Sequence, residues 1–523
     1  MIVTESNRQA EGPRVARRAS AAVLIGLLVG HGALAGQGSE LKARLDRHVG
    51  AHQREIVNEL VDLLSIPNVA SDTEHIRQNV VALEALLVKR GLQTEVLETS
   101  GNPLVFGELK TPGATRTLLV YIHYDGQPVN PPEWKQAGPF TPVLRQGRME
   151  DDAPEVPGFR TLDTFRPDWR LYARSASDDK GPIVAFLTAV DALKVLGVRP
   201  TSNIKLILDG EEEAGSPSLV PAIERHRHKL GADVMFILDG PEHPSGRPTL
   251  VFGARGSLGI ELTVYGPKMP LHSGHYGNWV PNPAMRLAQL LATFKDDTGR
   301  VLVEGFYNGI EPVAGSERQM LDEVPDDPQA LMALFGIAQP ERPNLLLQDA
   351  LQLPTFNVRG LSSAFVGGSA RTIIPDRAVA AIDVRLVAET PAGEMLDKIT
   401  RHIERQGYHI VTADPDDATR AAHSKIVKLS SRGDGTNAYR TSPGLPLSEE
   451  VSEALYRMHG VRPVGIRTSG GTVPIAPFID ALGFPAISVP TVNFDNNQHG
   501  ENENVTLGQI FRAVTTIAAL LTM

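Results

Sequence analysis

Leu206-Ile207-Leu208-Asp209-Gly210-Glu211-Glu212-Glu213-Ala214-Gly215-Ser216 runs from apolar residues straight into three consecutive glutamates. The apolar part, residues 204–208, predicts a buried strand with the acidic cluster at its carboxyl end. In an open α/β sheet the ligand crevice lies outside the carboxyl ends of the strands. Three carboxylates crowded there repel one another unless a cation, a proton or a helix N-terminus compensates them. A solvated acidic loop, or charges favouring a helix start, accounts for the same residues. The rest of the chain decides between these readings.

Outward from this stretch, three more apolar runs end in polar residues. Residues 117–122 lead into His123-Tyr124-Asp125, residues 234–238 into Asp239-Gly240-Pro241, and residues 486–489 precede His499. Such continuous runs suit a sheet covered on both faces. Helices are predicted over 41–66, ended by Pro67, over 74–90, stopped at Gly91, and over 448–459 and 505–521. Asp178-Asp179-Lys180-Gly181-Pro182 opens another helix through residue 196, with proline in its first turn. Capping explains one of those aspartates but not both. The stretch 127–169, rich in proline, glycine and acid, reads as a long surface excursion, and its acidic run 150–155 as a solvated loop.

Near Arg255-Gly256 the pattern changes. Leu258, Ile260, Leu262 and Val264 alternate with other residues, as in a half-buried antiparallel strand. Helices over 283–294 and 392–405 and strands over 378–387 and 408–412 give a β-α-β-β-α-β-like order, typical of a separate α+β module. Residues 297–354 read as loops and short helices inserted in it. The expected organisation is α/β: one discontinuous domain over 41–255 and 438–523, interrupted by an α+β (ferredoxin-like) domain over 256–437.

A chain of 523 residues, 41% hydrophobic and 21% charged, needs two or more cores. Its net charge of -10, with no basic tract interleaved with aromatics, gives no support for nucleic-acid binding. With no cysteine, disulfides, thiolate ligands and a cysteine nucleophile are excluded, so any metal site uses histidine and carboxylates. Arg14, Arg17 and Arg18 precede the apolar run 21–29, and Ala33-Leu34-Ala35 offers a cleavage site. Residues 1–35 therefore read as a signal peptide, of the general or twin-arginine type. The run is too short for a transmembrane anchor and is broken by Gly30, His31 and Gly32. An exported protein, periplasmic or secreted and without a stable membrane anchor, is expected.

The residues at the strand ends are His123, Asp125, Asp178, Glu212, Glu213, Asp239 and His499. Each alone is a weak signal. Together, two imidazoles and three or more carboxylates are enough for a pair of metal ions, zinc by preference, with manganese or cobalt as substitutes. Two ions about 3.5 Å apart could share a carboxylate and activate water for attack on a carbonyl.

In this order the set resembles the di-zinc metallopeptidase family of carnosinases, aminoacylases, glutamate carboxypeptidases and succinyl-diaminopimelate desuccinylase. The likeness runs from about residue 41 onward. His123-Tyr124-Asp125 matches the family's first motif, Asp178-Asp179-Lys180-Gly181 its second, and Glu212-Glu213-Ala214-Gly215-Ser216 its third. The resemblance implies that His123, Asp178, Glu213, Asp239 and His499 bind metal, with Asp178 bridging. It makes Asp125 the residue that orients His123, and Glu212 the general base. Glu211 has no role in the family and reads as a plain surface charge.

Leu271-His272-Ser273-Gly274 resembles the family's lid motif, whose histidine reaches the active site of the partner subunit in a homodimer. The segments around Thr372 and Arg385 resemble those that grip the substrate's carboxylate end. Ser469-Gly470-Gly471-Thr472 resembles the glycine-rich loop lining the pocket. Ala173 and Ser175 stand where glycines are usual, Ser469 where glutamate is common, and Gly500 where serine commonly follows the histidine. The long lid is most similar to carnosinase-like and carboxypeptidase-like members. The implied activity is a metal-dependent exopeptidase acting on short peptides with a free carboxylate. An N-acyl amino acid amidohydrolase and a non-catalytic binding protein on the same fold are the rival readings.

Overall fold

The computed structural model of the protein describes residues 38–523 except 432 and 474. The segment read as a signal peptide, 1–35, lies outside the described residues. Among the described residues two sheets dominate, one of eight strands and one of five.

In the larger sheet the strand order is Gln93–Leu97, Leu104–Leu109, Asn203–Asp209, Thr117–His123, Val234–Ile237, Ala486–Ser488, Thr249–Val251, Val464–Ile466. The four strands Asn203–Asp209, Thr117–His123, Val234–Ile237 and Ala486–Ser488 run parallel, so their carboxyl ends share one edge. Their continuous apolar character has a direct cause. Leu118, Val120 and Ile122 pack with Ile204, Leu206 and Leu208 under the helices Lys180–Val195 and Leu507–Leu521. The alternate residues Leu119, Tyr121 and Ile207 pack on the other face with Leu219, Ala222 and Ile223 of the helix Leu219–Leu230. Both faces are dry, which is why no polar alternation marks these strands.

The smaller sheet is ordered Thr355–Ser362, Arg377–Leu386, Gly256–Tyr265, Ile426–Ser431, His409–Val411. It is antiparallel except for its last pair. Leu258, Ile260, Leu262 and Val264 pack with Ala380, Ile382 and Val384 beneath the helices Pro283–Leu291 and Ala392–Arg405. The other face is more polar and carries Asp383 and Arg385. The period-2 pattern therefore reports a sheet with one buried face.

Three differences from the sequence reading have local causes. The helix expected over 41–66 is two helices, 38–51 and Gln53–Leu64, because the backbone leaves the helical region at His52. The helix expected over 505–521 starts at Leu507, after Asn504–Thr506 joins a three-stranded sheet with Arg170–Tyr172 and Val143–Arg145. That sheet also shows that the excursion 127–169 is anchored: it buries Trp134, Leu144, Met149, Phe159 and Phe165. Residues 297–354 do form short helices, Gly315–Asp322, Pro328–Phe335 and Leu347–Leu351.

Candidate metal centre

The register pairs His123 with Asp209, so the two central strands end level. From that level, the chain after Asp209 turns through the short 3-10 helix Glu212–Ala214 and leaves by Gly215 in the left-handed region, where glycine costs no steric strain. Asp125 fixes this turn to the His123 strand, accepting hydrogen bonds from the backbone N–H groups of Glu212 and Glu213, both at 3.1 Å. Its carboxylate also lies 3.4 Å from His123 Nδ1. His123 Nε2 lies 2.8 Å from Asp178 Oδ1. All three side chains are buried.

Asp178 faces two ways. Its Oδ2 lies 3.1 Å from Nε2 of His499, which is itself 3.5 Å from Glu213 Oε2. Donor atoms of His123, Asp178 and Asp239 lie within 4.8 Å of one another, and so do those of Asp178, Glu213 and His499. Asp178 belongs to both groups. Gln127 donates from Nε2 to Glu213.

The electrostatics fit a cation. Burial first, and then repulsion from Asp178, pushes Glu213 up to about 8 and Asp239 up to about 6. Burial also carries Glu212 well above the ordinary glutamate value, reinforced by Asp239, Glu213 and Asp178. Burial opposes charge on His123, but hydrogen bonds to Asp125 and Asp178 outweigh it and raise its pKa. Burial likewise disfavours the Asp178 carboxylate, yet hydrogen bonds from His123 and His499 hold it below its usual range. Divalent ions would offset the repulsion among these carboxylates, and the donors are the oxygens and imidazole nitrogens that zinc accepts.

The residues expected to hold substrate fall into two places. Arg385 donates to Thr472 Oγ1 at 2.8 Å and to Asp383 at 2.9 Å, so the smaller sheet touches the glycine-rich loop of the larger. Gly471 is exposed beside Thr472. His272 and Thr372 lie elsewhere. The two-residue strand Leu271–His272 pairs with Ile373–Ile374, and Ser273 N donates to the Thr372 carbonyl at 3.1 Å. His272 is exposed, takes a hydrogen bond from Gly274 N and packs in a tilted ring contact with His275. Among the described residues no hydrogen bond or ion pair joins His272 to the carboxylate cluster.

Sequence reasoning missed three groups. Glu211 is not a surface charge. It is buried, accepting from Asn102 N at 2.7 Å and Ser218 N at 3.3 Å, and so pins the start of the glutamate turn. Asp179 precedes the helix Lys180–Val195 without capping it through its side chain; instead it accepts from His123 N at 3.4 Å. Glu503 is fully buried and takes five hydrogen bonds from residues 174–178. Its only signal was an acidic residue four positions after His499, which residue type alone does not separate from a solvated charge.

Comparison with known proteins accords with this geometry. The profile described as Peptidase family M20/M25/M40 matches residues 156–523. The Cys-Gly metallodipeptidase DUG1 of Candida albicans is 26% identical, over 89% of this chain and 94% of that protein. The Beta-Ala-His dipeptidase of Mus musculus is 24% identical, over 89% and 92%. Among solved structures, the M20 family metallo-carboxypeptidase Sso-CP2 from Sulfolobus solfataricus superposes with a TM-score of 0.72 at 28% identity, covering 89% of this chain and 98% of that one. Human carnosine dipeptidase 1 superposes at 0.71 and 22% identity, over 92% and 98%, a likeness of fold.

The expected export is corrected by these relatives. The yeast metallodipeptidases are largely cytosolic enzymes. No helix of the described residues is long and apolar enough to cross a membrane. A charged, apolar, small-residue pattern is met by many N-terminal segments and does not by itself decide localisation.

Proposed function

The chain belongs to peptidase family M20/M25/M40 and is a metallopeptidase, and we propose that it hydrolyses dipeptides and other short peptides bearing a free carboxylate. His123, Asp178 and Asp239 would hold one divalent ion, and Asp178, Glu213 and His499 a second. The observation that carries this reading is the membership of Asp178 in both donor groups, since one carboxylate with an oxygen toward each imidazole suits a bridging ligand. Zinc fits the donor set, and manganese or cobalt could replace it. Bound there, the ions would polarise the scissile carbonyl and acidify water.

The chain's own residues supply the remainder. Glu212, with its raised pKa, takes a proton from the attacking water and returns it to the leaving amine. Asp125 keeps His123 in orientation. Arg385 presents a guanidinium fork to the substrate's terminal carboxylate beside Thr472 and Gly471. His272, with Thr372 next to it, would stabilise the oxyanion in the site of a second copy. A homodimer is supported by the apolar side chains that residues 256–437 leave in solvent, Trp279 at 82% exposure and Val366 at 86% among them. On this reading the larger sheet belongs to a catalytic domain, 41–255 with 438–523, and residues 256–437 form its lid.

The test is a hydrolysis screen of free-amine dipeptides against N-acyl amino acids, with zinc, manganese and cobalt, on protein of measured metal content. Cleavage of dipeptides by metal-loaded protein is expected. Cleavage of N-acyl amino acids alone would make the enzyme a deacylase, and protein that retains no divalent metal and cleaves neither would leave only a binding role.

A further inference from the structure

Glu503 occupies an unusual position between the two segments that carry Asp178 and His499. Its Oε1 accepts from Ser177 N at 2.9 Å, Ser177 Oγ at 2.8 Å and Asp178 N at 3.0 Å. Its Oε2 accepts from Ser175 N at 2.9 Å and Arg174 Nη1 at 2.8 Å. The backbone joins in, because Ala173 N donates to the Glu503 carbonyl at 3.1 Å. Residues 173–178 are thus wrapped around one buried carboxylate, and Asp178 hangs from the last of its donors.

That segment needs holding. Ser175 sits in the left-handed region, at φ 63°, which a residue with a Cβ adopts only at a cost. Its backbone N–H is bound by Glu503, and its Oγ accepts from Asn68 Nδ2 at 2.9 Å. Glycine at this position would adopt the turn freely; with serine there, hydrogen bonds hold it. The other side of the clamp is strained too. Asn497, His499 and Asn502 all have positive φ, and the loop closes where Asn504 N donates to Asn496 O at 2.8 Å, one residue beyond Glu503. Arg174 is the counter-ion, and Trp134 of the 127–169 excursion lies 5.4 Å over its guanidinium. The excursion therefore covers the ion pair.

We infer that Glu503 is a positioning residue of the metal centre: it sets the separation of Asp178 from His499 by binding the backbone of residues 175–178 from the base of the His499 loop. The inference rests on the reading of Asp178 and His499 as metal ligands. Groups that orient ligands typically change metal affinity by 10–100-fold when replaced. In Glu503→Gln one oxygen becomes an N–H₂ group facing donors, so the loop must shift although the side chain keeps its size.

The experiment titrates metal-stripped protein with cobalt(II), following the visible spectrum and the heat of binding, beside Asp178→Asn and His499→Ala. Glu503→Gln should weaken cobalt binding by about 10–100-fold, change the cobalt absorption bands, and at saturating metal lower kcat more than KM. As a control, Glu450→Gln breaks the Arg116 pair at the opposite end of the His123 strand, and should lower thermal stability without moving affinity or spectrum. If Glu503→Gln does not fold, Ser177→Ala removes one hydroxyl donor from the same oxygen and should weaken cobalt binding by a smaller factor. Parent affinity and parent spectrum in Glu503→Gln, or in Ser177→Ala where that variant replaces it, overturn the positioning role while leaving the ligand assignment intact. Parent affinity in both Asp178→Asn and His499→Ala overturns the ligand assignment itself.

Discussion

The strand-end cluster and the His272 loop are built on opposite terms. His123, Asp125, Asp178 and Asp239 stand on or beside parallel strands whose both faces are packed, and their hydrogen bonds cross between segments far apart in sequence. His272 stands on a two-residue strand paired with Ile373–Ile374, and its exposed side chain meets its own loop neighbours Gly274 and His275. The first is preorganised by burial, which, with repulsion from Asp178, pushes Glu213 up to about 8. The second is held by one short strand pairing and its loop neighbours. The difference teaches where the protein can tolerate movement. Chemistry that needs fixed geometry sits on the rigid edge, and the histidine that we propose acts on a second copy sits on an exposed loop.

The largest effect should come from the rigid side. Glu212→Gln is expected to keep its metal content and to lose about 10²–10⁴-fold in kcat, the range for general acid-base groups. Metal analysis and steady-state kinetics on the same preparation check this. A folded variant that loses metal instead would mean that Glu212 and Glu213 have each other's roles, and the contrast between a proton carrier and a ligand would break.

His272 comes next. His272→Ala should cost about 10²–10³-fold, as removal of one oxyanion donor does elsewhere. The sharper measurement mixes it with Glu212→Gln under conditions that exchange subunits. If His272 acts across an interface, half the dimers are mixed and each has one whole site, so activity returns to about a quarter of the parent. If it acts within its own chain, the mixture stays as inactive as its components, and the loop is no different in kind from the strand ends.

The same contrast explains what could be read from the sequence. The strand-end cluster was legible because an apolar run that stops at a histidine or acid leaves a one-dimensional mark: His123, Asp239 and the glutamates all follow such runs. The smaller sheet was legible by alternation at Leu258, Ile260, Leu262 and Val264. Glu503 and Glu211 were not. Their partners are mainly backbone N–H groups, over 300 residues away for Glu503 and about 100 for one of those on Glu211, and any residue can supply a backbone donor. The break at His52 and the anchoring of residues 127–169 were hidden for a related reason, since tertiary packing overrides weak local signals. The N-terminal segment erred the other way, by offering a local pattern that the relatives do not support.

A smaller effect probes the seam between the two regions. Arg385 binds Thr472 Oγ1 through one branch of its guanidinium. Arg385→Lys keeps the charge but loses the fork, so kcat/KM on free-acid peptides should fall about tenfold, while C-terminal amides lose less. Equal losses on both substrate types would reduce Arg385 to an interdomain contact.

The smallest effect isolates burial, on which the whole comparison depends, at a residue outside both regions. His459 ends the helix Pro446–His459, with Nε2 3.0 Å from Thr516 Oγ1 of the helix Leu507–Leu521. A helix C-terminus favours a protonated imidazole by about 0.3–1 kcal/mol. Burial wins against it, helped by the positive charge of Arg512, and pushes His459 down to about 4. The sign follows directly. The unfolded chain, with an ordinary histidine near about 6.5, takes up the proton before the folded one does. The stability contributed by neutral His459 is therefore fully present above that value and is lost as pH falls toward 4. His459→Gln keeps a hydrogen-bonding group and removes the titration. Between pH 7 and 4.5 the parent should lose about 1–3 °C more in Tm than the variant, at about 1 °C per kcal/mol for a chain of this size. Other acid-sensitive groups, the metal centre included, are common to both proteins and cancel in the difference. Equal losses would show that burial does not hold this imidazole neutral, and the same argument applied to the strand-end carboxylates would lose its independent support.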